Sequence, residues 1–295
     1  MLVVLALIWG SSFMFIKIAV RELDPATLIF GRLGLAALTL AMVVAVSSGV
    51  RGLVSDLRAH AAPLVLVGLV NTAAPFWLLS WGETRIDSGL ASIIQASVPI
   101  FNALLAFAFF HEQRVAGAQL VGVGVGFVGV ALLVGVQPGG KILGALAVVG
   151  MAACYALGGL LTRRRLKGVK PEVIALGTSL AAAIAVSPIG IARAPVHAPS
   201  AGVVASVVVL GVLGTAFAYL LFFSIITGAG AAYASLVTYL VPPVALAYGA
   251  VFLGESIGVA AVGGLVLILA GVTLGTRGLP RIRREPAAAP SLESS

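Results

Sequence analysis

Apolar residues in this chain come in long runs, separated by short stretches that hold charge, proline or glycine. Crossing a bilayer takes a helix of about 20 apolar residues, and the pattern predicts ten such segments, roughly 2–20, 26–48, 62–82, 87–110, 115–136, 142–162, 171–192, 202–224, 230–253 and 257–276. The pattern also repeats. GLASIIQASVPIFNALLAFAFFHE, from Gly89 to Glu112, returns as AYASLVTYLVPPVALAYGAVFLGE, from Ala232 to Glu255. At fixed offset Ser92 matches Ser235, Val98-Pro99 matches Val241-Pro242, and Glu112 matches Glu255. Fainter echoes pair Pro25 with Pro171, Thr72-Ala73 with Thr215-Ala216, and Gly129-Val130 with Gly271-Val272. Each half then holds five segments, an odd number, so the second half enters the membrane the other way round. The prediction is an all-α membrane protein of ten transmembrane helices built as two inverted five-helix repeats, residues 1–138 and 139–276. The tail 277–295 is basic, then Pro/Ala/Ser-rich, and reads as disordered.

Composition agrees. Of 295 residues 60% are hydrophobic and only 9% charged, against about 25% charged in soluble domains. So few charges cannot cover a water-facing surface. The net charge of +8 does not point to nucleic acid, because the basic residues sit in short clusters between apolar runs. With the N-terminus inside, the cytoplasmic connections hold Arg51, Arg58, Arg114, Arg163, Arg164, Arg165, Lys167, Lys170 and the tail's arginines. The opposite side holds only Arg21, Arg85, Lys141 and Arg193. The positive-inside bias therefore places both termini in the cytoplasm. No basic region precedes the first apolar run, so no cleavable signal peptide is expected. Cys154, the single cysteine, excludes an internal disulfide.

The residues carry a resemblance. The opening LALIWGSSFMFIKIAV, the TLIFGRLGLAALTL of the second segment, and the Pro…Glu unit in both halves resemble an EamA-type drug/metabolite transporter. The likeness covers about residues 2–276. It implies a ten-helix exporter of amino acids and other small metabolites in a bacterial inner membrane. It also implies a central cavity lined by segments 1–4 and 6–9, with segments 5 and 10 peripheral. The family's four-helix multidrug relatives use a glutamate in their first helix to carry protons; this first segment has none.

Polar residues inside apolar segments are costly and mark candidate sites. Ser88, Ser92, Gln95, Pro99 and Asn102 fall on one face if the fourth segment is a continuous helix. Ser235, Thr238 and Pro242, with Tyr239 alongside, repeat that face in the ninth. The stripe reads as a cavity wall, or as interhelical hydrogen bonding worth about 0.6 kcal/mol per pair. Pro99 and Pro242 are candidate hinges. Arg32 lies about 9 Å below the end of the second segment, at 1.5 Å per residue, where it either binds a substrate carboxylate or anchors neighbouring carbonyls. Lys17 reads as a side chain snorkelling to the headgroups. Trp9 pairs with Tyr155 through the repeat, and Tyr219 joins them as an aromatic lining; Asn71 makes a polar break in the third segment. The candidate substrate contacts are thus Trp9, Arg32, Asn71, Ser92, Gln95, Asn102, Tyr155, Tyr219, Thr238 and Tyr239. Gly122, Gly126, Gly129, Gly264 and Gly271 make segments 5 and 10 packing elements, with a homodimer through them left open.

No nucleophile–base constellation, metal-ligand cluster or phosphate loop is present, so neither an enzyme nor a cofactor is expected. Glu83, Glu112 and Glu255 all fall at segment ends, so no carboxylate is expected deep in the bundle. The expected function is a secondary transporter exporting a small solute by alternating access. An uptake permease, or a non-transporting scaffold or receptor, are the alternatives.

Overall fold

A chain in hydrocarbon must satisfy its own backbone hydrogen bonds, and a helix does so within one segment. The computed structural model describes residues 1–109, 117–135 and 141–276, and every regular element among them is helical. Glu112, Arg114, the junction at 138–139 and the tail 277–295 lie outside the described residues. The apolar helices are α1 (Leu2–Ala19), α2 (Pro25–Ser48), α3 (Ala61–Glu83), α4 (Ser88–Gln95 with Val98–Phe109), α5 (Ala118–Gly135), α6 (Lys141–Arg165), α7 (Pro171–Ala192), α8 (Ala201–Ala229), α9 (Ala231–Ala234 with Val237–Leu253) and α10 (Val259–Thr276). Seven of them, α1–α4 and α6–α8, are long and apolar enough to cross a membrane; α5, α9 and α10 carry shorter apolar stretches. Large apolar side chains stand on the outside, Val251 75% and Ile184 63% exposed among them. Such a surface suits lipid, not water.

One element lay outside the ten segments. Val50–Ala59 forms a short helix between α2 and α3. It buries Leu53 and half-buries Leu57 against the bundle, and leaves Arg51 and Arg58 exposed.

The helices pack in matched sets. α1 lies on α8 and α9, and α6 lies on α3 and α4; α2 meets α8, and α7 meets α3. Other close pairs are α2 with α7, α4 with α9, and α5 with α10. α3 and α8 each contain a wide π-turn, over Leu69–Ala73 and Val212–Phe217. Two glycines set the crossings beside those turns. A Cβ on Gly68 would lie 2.8 Å from the Thr178 carbonyl oxygen, and one on Gly211 would lie 2.8 Å from that of Arg32. The glycines of α5 and α10 face each other within this chain: a Cβ on Gly271 would lie 2.6 Å from the Gly122 carbonyl oxygen.

Chain direction brings Glu22, Glu83, Ser88, Arg193 and Glu255 to one end of the bundle. There the Glu22 carboxylate accepts from Ser200 N–H and Oγ–H, both at 2.7 Å. Asp24 caps α2 by accepting from Ala26 N–H and pairs with Arg193 at 3.0 Å. The Glu255 carboxylate, just beyond α9, accepts from Ser88 N–H at 2.8 Å, Ser88 Oγ–H at 2.9 Å and Gly89 N–H at 3.0 Å. It thus caps α4, a helix of the other half. At the opposite end Asp56 and Lys170 pair across the halves at 3.8 Å, largely exposed.

Candidate functional site

Between the matched helices lies a cavity of about 290 Å³. Its walls come from α1, α2, α3 and α4 on one side and from α6, α8 and α9 on the other. Trp9, Arg32, Asn71, Ser92, Gln95, Tyr155, Tyr219, Thr238 and Pro242 all line it. Asn102, Tyr239 and Pro99 do not.

Asn102 and Pro99 lie beyond a break in their helix. The expected stripe assumed a continuous fourth helix, but α4 turns at Ala96–Ser97 and restarts at Val98. Beyond the turn the phase of the stripe is lost, and Asn102 falls outside the wall. Pro99 is the second residue of the new helical piece, where a missing N–H costs nothing. It therefore starts a helix instead of freeing a mid-helix carbonyl. α9 breaks earlier relative to the repeat, at Ser235–Leu236. Its two prolines, Pro242 and Pro243, sit inside the following helix, and Pro242 reaches the cavity. Tyr239 packs half-buried against the apolar core.

Arg32 is the cation of the lining. It is 5% exposed. Its Nε–H donates to Thr215 Oγ1 at 2.9 Å, and its guanidinium carbon lies 4.1 Å from the centre of the Phe76 ring. The π-turn of α8 makes the first contact available, because Thr215 donates its own hydroxyl hydrogen five residues back, to Leu210 O at 2.8 Å. The turn thus aims a hydroxyl oxygen at the arginine. Stacking on Phe76 fixes the plane of the fork without consuming its Nη donors. The guanidinium is held as a planar, charged, bidentate donor at the cavity wall, the geometry that suits a carboxylate. In the other half Thr178 stands where the repeat puts Arg32, and its hydroxyl donates to Ile174 O at 2.7 Å. The counterpart of Thr215, Thr72, is buried with no partner for its hydroxyl.

The neutral polar groups divide by function. Ser12, Ser92 and Thr238 donate to Ile8 O, Gly89 O and Ser235 O along their own helices. Each then presents only acceptor lone pairs to the cavity. Asn71, Gln95, Tyr155 and Tyr219 supply amide and phenol groups, and Trp9 lies 5.3 Å from Phe222 between ring centres. Gly158 leaves the space that Asn71 occupies, since a Cβ there would strike its side chain. Ser12, Phe13, Ile16, Phe76, Leu79 and Val241 also line the cavity. In a chain this apolar most of them carry no mark that separates a wall from a core.

The cavity closes toward Glu83. Arg32, Phe76 and Leu79 are buried, whereas Gln95, Tyr155, Tyr219 and Thr238, farther from that end, are half-buried. One turn past Leu79, Glu83 ends its helix as expected but is fully buried, contrary to the expectation that no carboxylate lies deep in the bundle. Lys17 does not snorkel outward. Its Nζ donates to Glu83 O and Ile86 O, both at 2.7 Å, and caps the carbonyl end of α3.

Comparison with known proteins gives the same picture. The EamA-like transporter family matches residues 1–135 and again 142–277. A protein of Streptantibioticus cattleyicolor named a probable terminal-alkyne amino-acid exporter is 32% identical over 96% of this chain and 95% of its own length. An uncharacterized transporter of Archaeoglobus fulgidus is 26% identical over 91% of this chain and 95% of its own. A solved crystal structure shares the fold with a TM-score of 0.64 at 21% identity, covering 92% of this chain and 94% of that one. The chain therefore belongs to the EamA-like transporter family, and is a multi-pass membrane transporter, not an enzyme.

Proposed function

We propose that this protein exports small metabolites, amino acids or related compounds, across the cytoplasmic membrane by alternating access. The cavity carries this proposal: it lies between two sets of helices, is lined from both, and holds one fixed cation at a buried wall. A carboxylate solute would meet the Arg32 fork, with amide and phenol groups around it and aromatic faces for its remaining bulk. The name of the 32%-identical relative, a probable amino-acid exporter, supports an amino-acid class and the outward direction.

Ten spans in two inverted repeats, 1–138 and 139–276, account for the matched packing. The contacts of α1 with α8 and α9 answer those of α6 with α3 and α4, and α2 on α8 answers α7 on α3, down to Gly68 on Thr178 and Gly211 on Arg32. The family likewise matches twice. With both termini cytoplasmic, the Glu83 end faces outward, so this structure is the state sealed on the outside. Any homodimer through α5 and α10 uses faces other than their shared glycine seam.

Accessibility tests the proposal. In a Cys154→Ala background, Gln95→Cys should react with a membrane-impermeant thiol reagent from the cytoplasmic side, and a bound solute should slow it. A cysteine at 95 that is protected from both sides would mean a packed scaffold with no route through it.

A further inference from the structure

Glu83 has no part in the cavity described above, yet it is among the most enclosed residues of the bundle. It is fully buried, and neither carboxyl oxygen has a hydrogen-bond partner. Ser80, one turn earlier on α3, is also fully buried with an unpartnered hydroxyl. Three charged groups from packed elements act electrostatically on Glu83: Lys17 of α1, Glu255 beyond α9, and Arg32 of α2. None of them hydrogen-bonds a Glu83 carboxyl oxygen. Lys17 is held by the main-chain carbonyls of Glu83 and Ile86, Arg32 by Thr215 and Phe76, and Glu255 by Ser88 and Gly89. α6 brings Gly144 and Val148 against the neighbouring Gly82. Arg85 turns away, with its guanidinium carbon 3.5 Å from the centre of the Trp81 ring. An ionised carboxylate here would have neither water nor a donor, a far costlier state than the neutral acid.

We propose that Glu83 is a proton-binding site that locks its end of the bundle: the carboxyl group holds a proton while that end is sealed and yields it to water when that end opens. The opening half of this statement rests on the alternating-access reading. The sealed state then holds one proton more than the open state. Raising the pH on that side favours opening and acid favours sealing, about tenfold in the equilibrium per pH unit.

Two experiments on the full-length protein test this. In detergent, with no solute present, carbon-13 carboxyl spectra of glutamate-labelled protein should contain one glutamate still protonated at neutral pH. Glu83→Gln should remove that signal; should the variant not fold, Ser80→Ala should shift it. Spectra in which every glutamate is ionised at neutral pH would overturn the proposal. In vesicles, Leu79→Cys on the Cys154→Ala background should be labelled from the Glu83 end at a rate that rises about tenfold per pH unit. Adding Glu83→Gln should flatten that slope, and an unaltered slope would equally overturn the proposal. A cysteine at 79 never labelled at any pH, with the protonated signal present, would instead remove the alternating-access reading and leave the proton site standing.

Discussion

Replacing Glu255 by alanine should open the end that this structure shows sealed. Its carboxylate takes three hydrogen bonds from Ser88 and Gly89, and the helix they begin belongs to the other half. Charge-assisted bonds of this kind reach about 1.5–3 kcal/mol each, but Glu255 is half-buried, so their simple addition is too large. A helix cap lost to alanine costs about 1 kcal/mol. The interaction of a negative charge with a helix N-terminus adds about 0.3–1 kcal/mol. The contact is therefore worth about 2 kcal/mol, or about thirtyfold in an equilibrium where about 1.4 kcal/mol is tenfold. The readout is labelling of Leu79→Cys from the Glu255 side in a cysteine-free background. The Glu255→Ala rate should rise about thirtyfold. Glu255→Gln, which keeps an acceptor oxygen and loses the charge, should fall between the two. A change of less than about twofold in a folded variant, well under 1 kcal/mol, would refute the idea that this cap holds the halves together.

Other predictions follow from single contacts. Arg32→Lys keeps the charge but cannot hold Thr215 and present a planar fork together, so export should fall about tenfold or more with expression unchanged; full export by Arg32→Lys and Arg32→Gln would remove Arg32 from the site. Gly271→Ala places a methyl 2.6 Å from Gly122 O and should lower detergent stability by about 1–3 kcal/mol. Gly124→Ala, with nothing within 4 Å, is its neutral control in the same thermal unfolding assay. Glu22 titrates below the usual carboxylate range, because Ser200 donates to it from its hydroxyl and its N–H. The contact it makes is complete above the usual carboxylate value and is lost as pH falls through the lowered one. Carboxyl carbon-13 titration should show Ser200→Ala returning Glu22 toward the ordinary value.

The helices were legible because apolar runs and their breaks are composition, and composition survives without a fold. Arg32, Gln95 and Tyr155 were legible because a polar or amphipathic group in an apolar run stands out, and the cavity takes all three. Asn102 misled for a physical reason: a face drawn on an unbroken helix ends where α4 turns at Ala96–Ser97, and two turn residues carry no strong signal of their own. Phe76 and Leu79 were invisible, since apolar walls look like apolar core. The burial of Glu83 was missed because its position at the end of α3 is local, whereas its enclosure depends on Lys17 and α6, both distant in sequence. Glu255 falls at a helix end, as the sequence places it, but the helix it caps is one of the other half, which no local pattern shows.

Transport itself is the claim on which the rest depends. Intact bacteria producing the protein would be fed dipeptides to load amino acids internally, and solutes inside and outside would be followed over time. One amino-acid class, or a close relative of it, should appear outside faster than from cells without the protein, and Arg32→Gln and Gln95→Ala should abolish the difference while still reaching the membrane. An unchanged outflow of every solute from cells with folded, membrane-inserted protein would contradict the export assigned here.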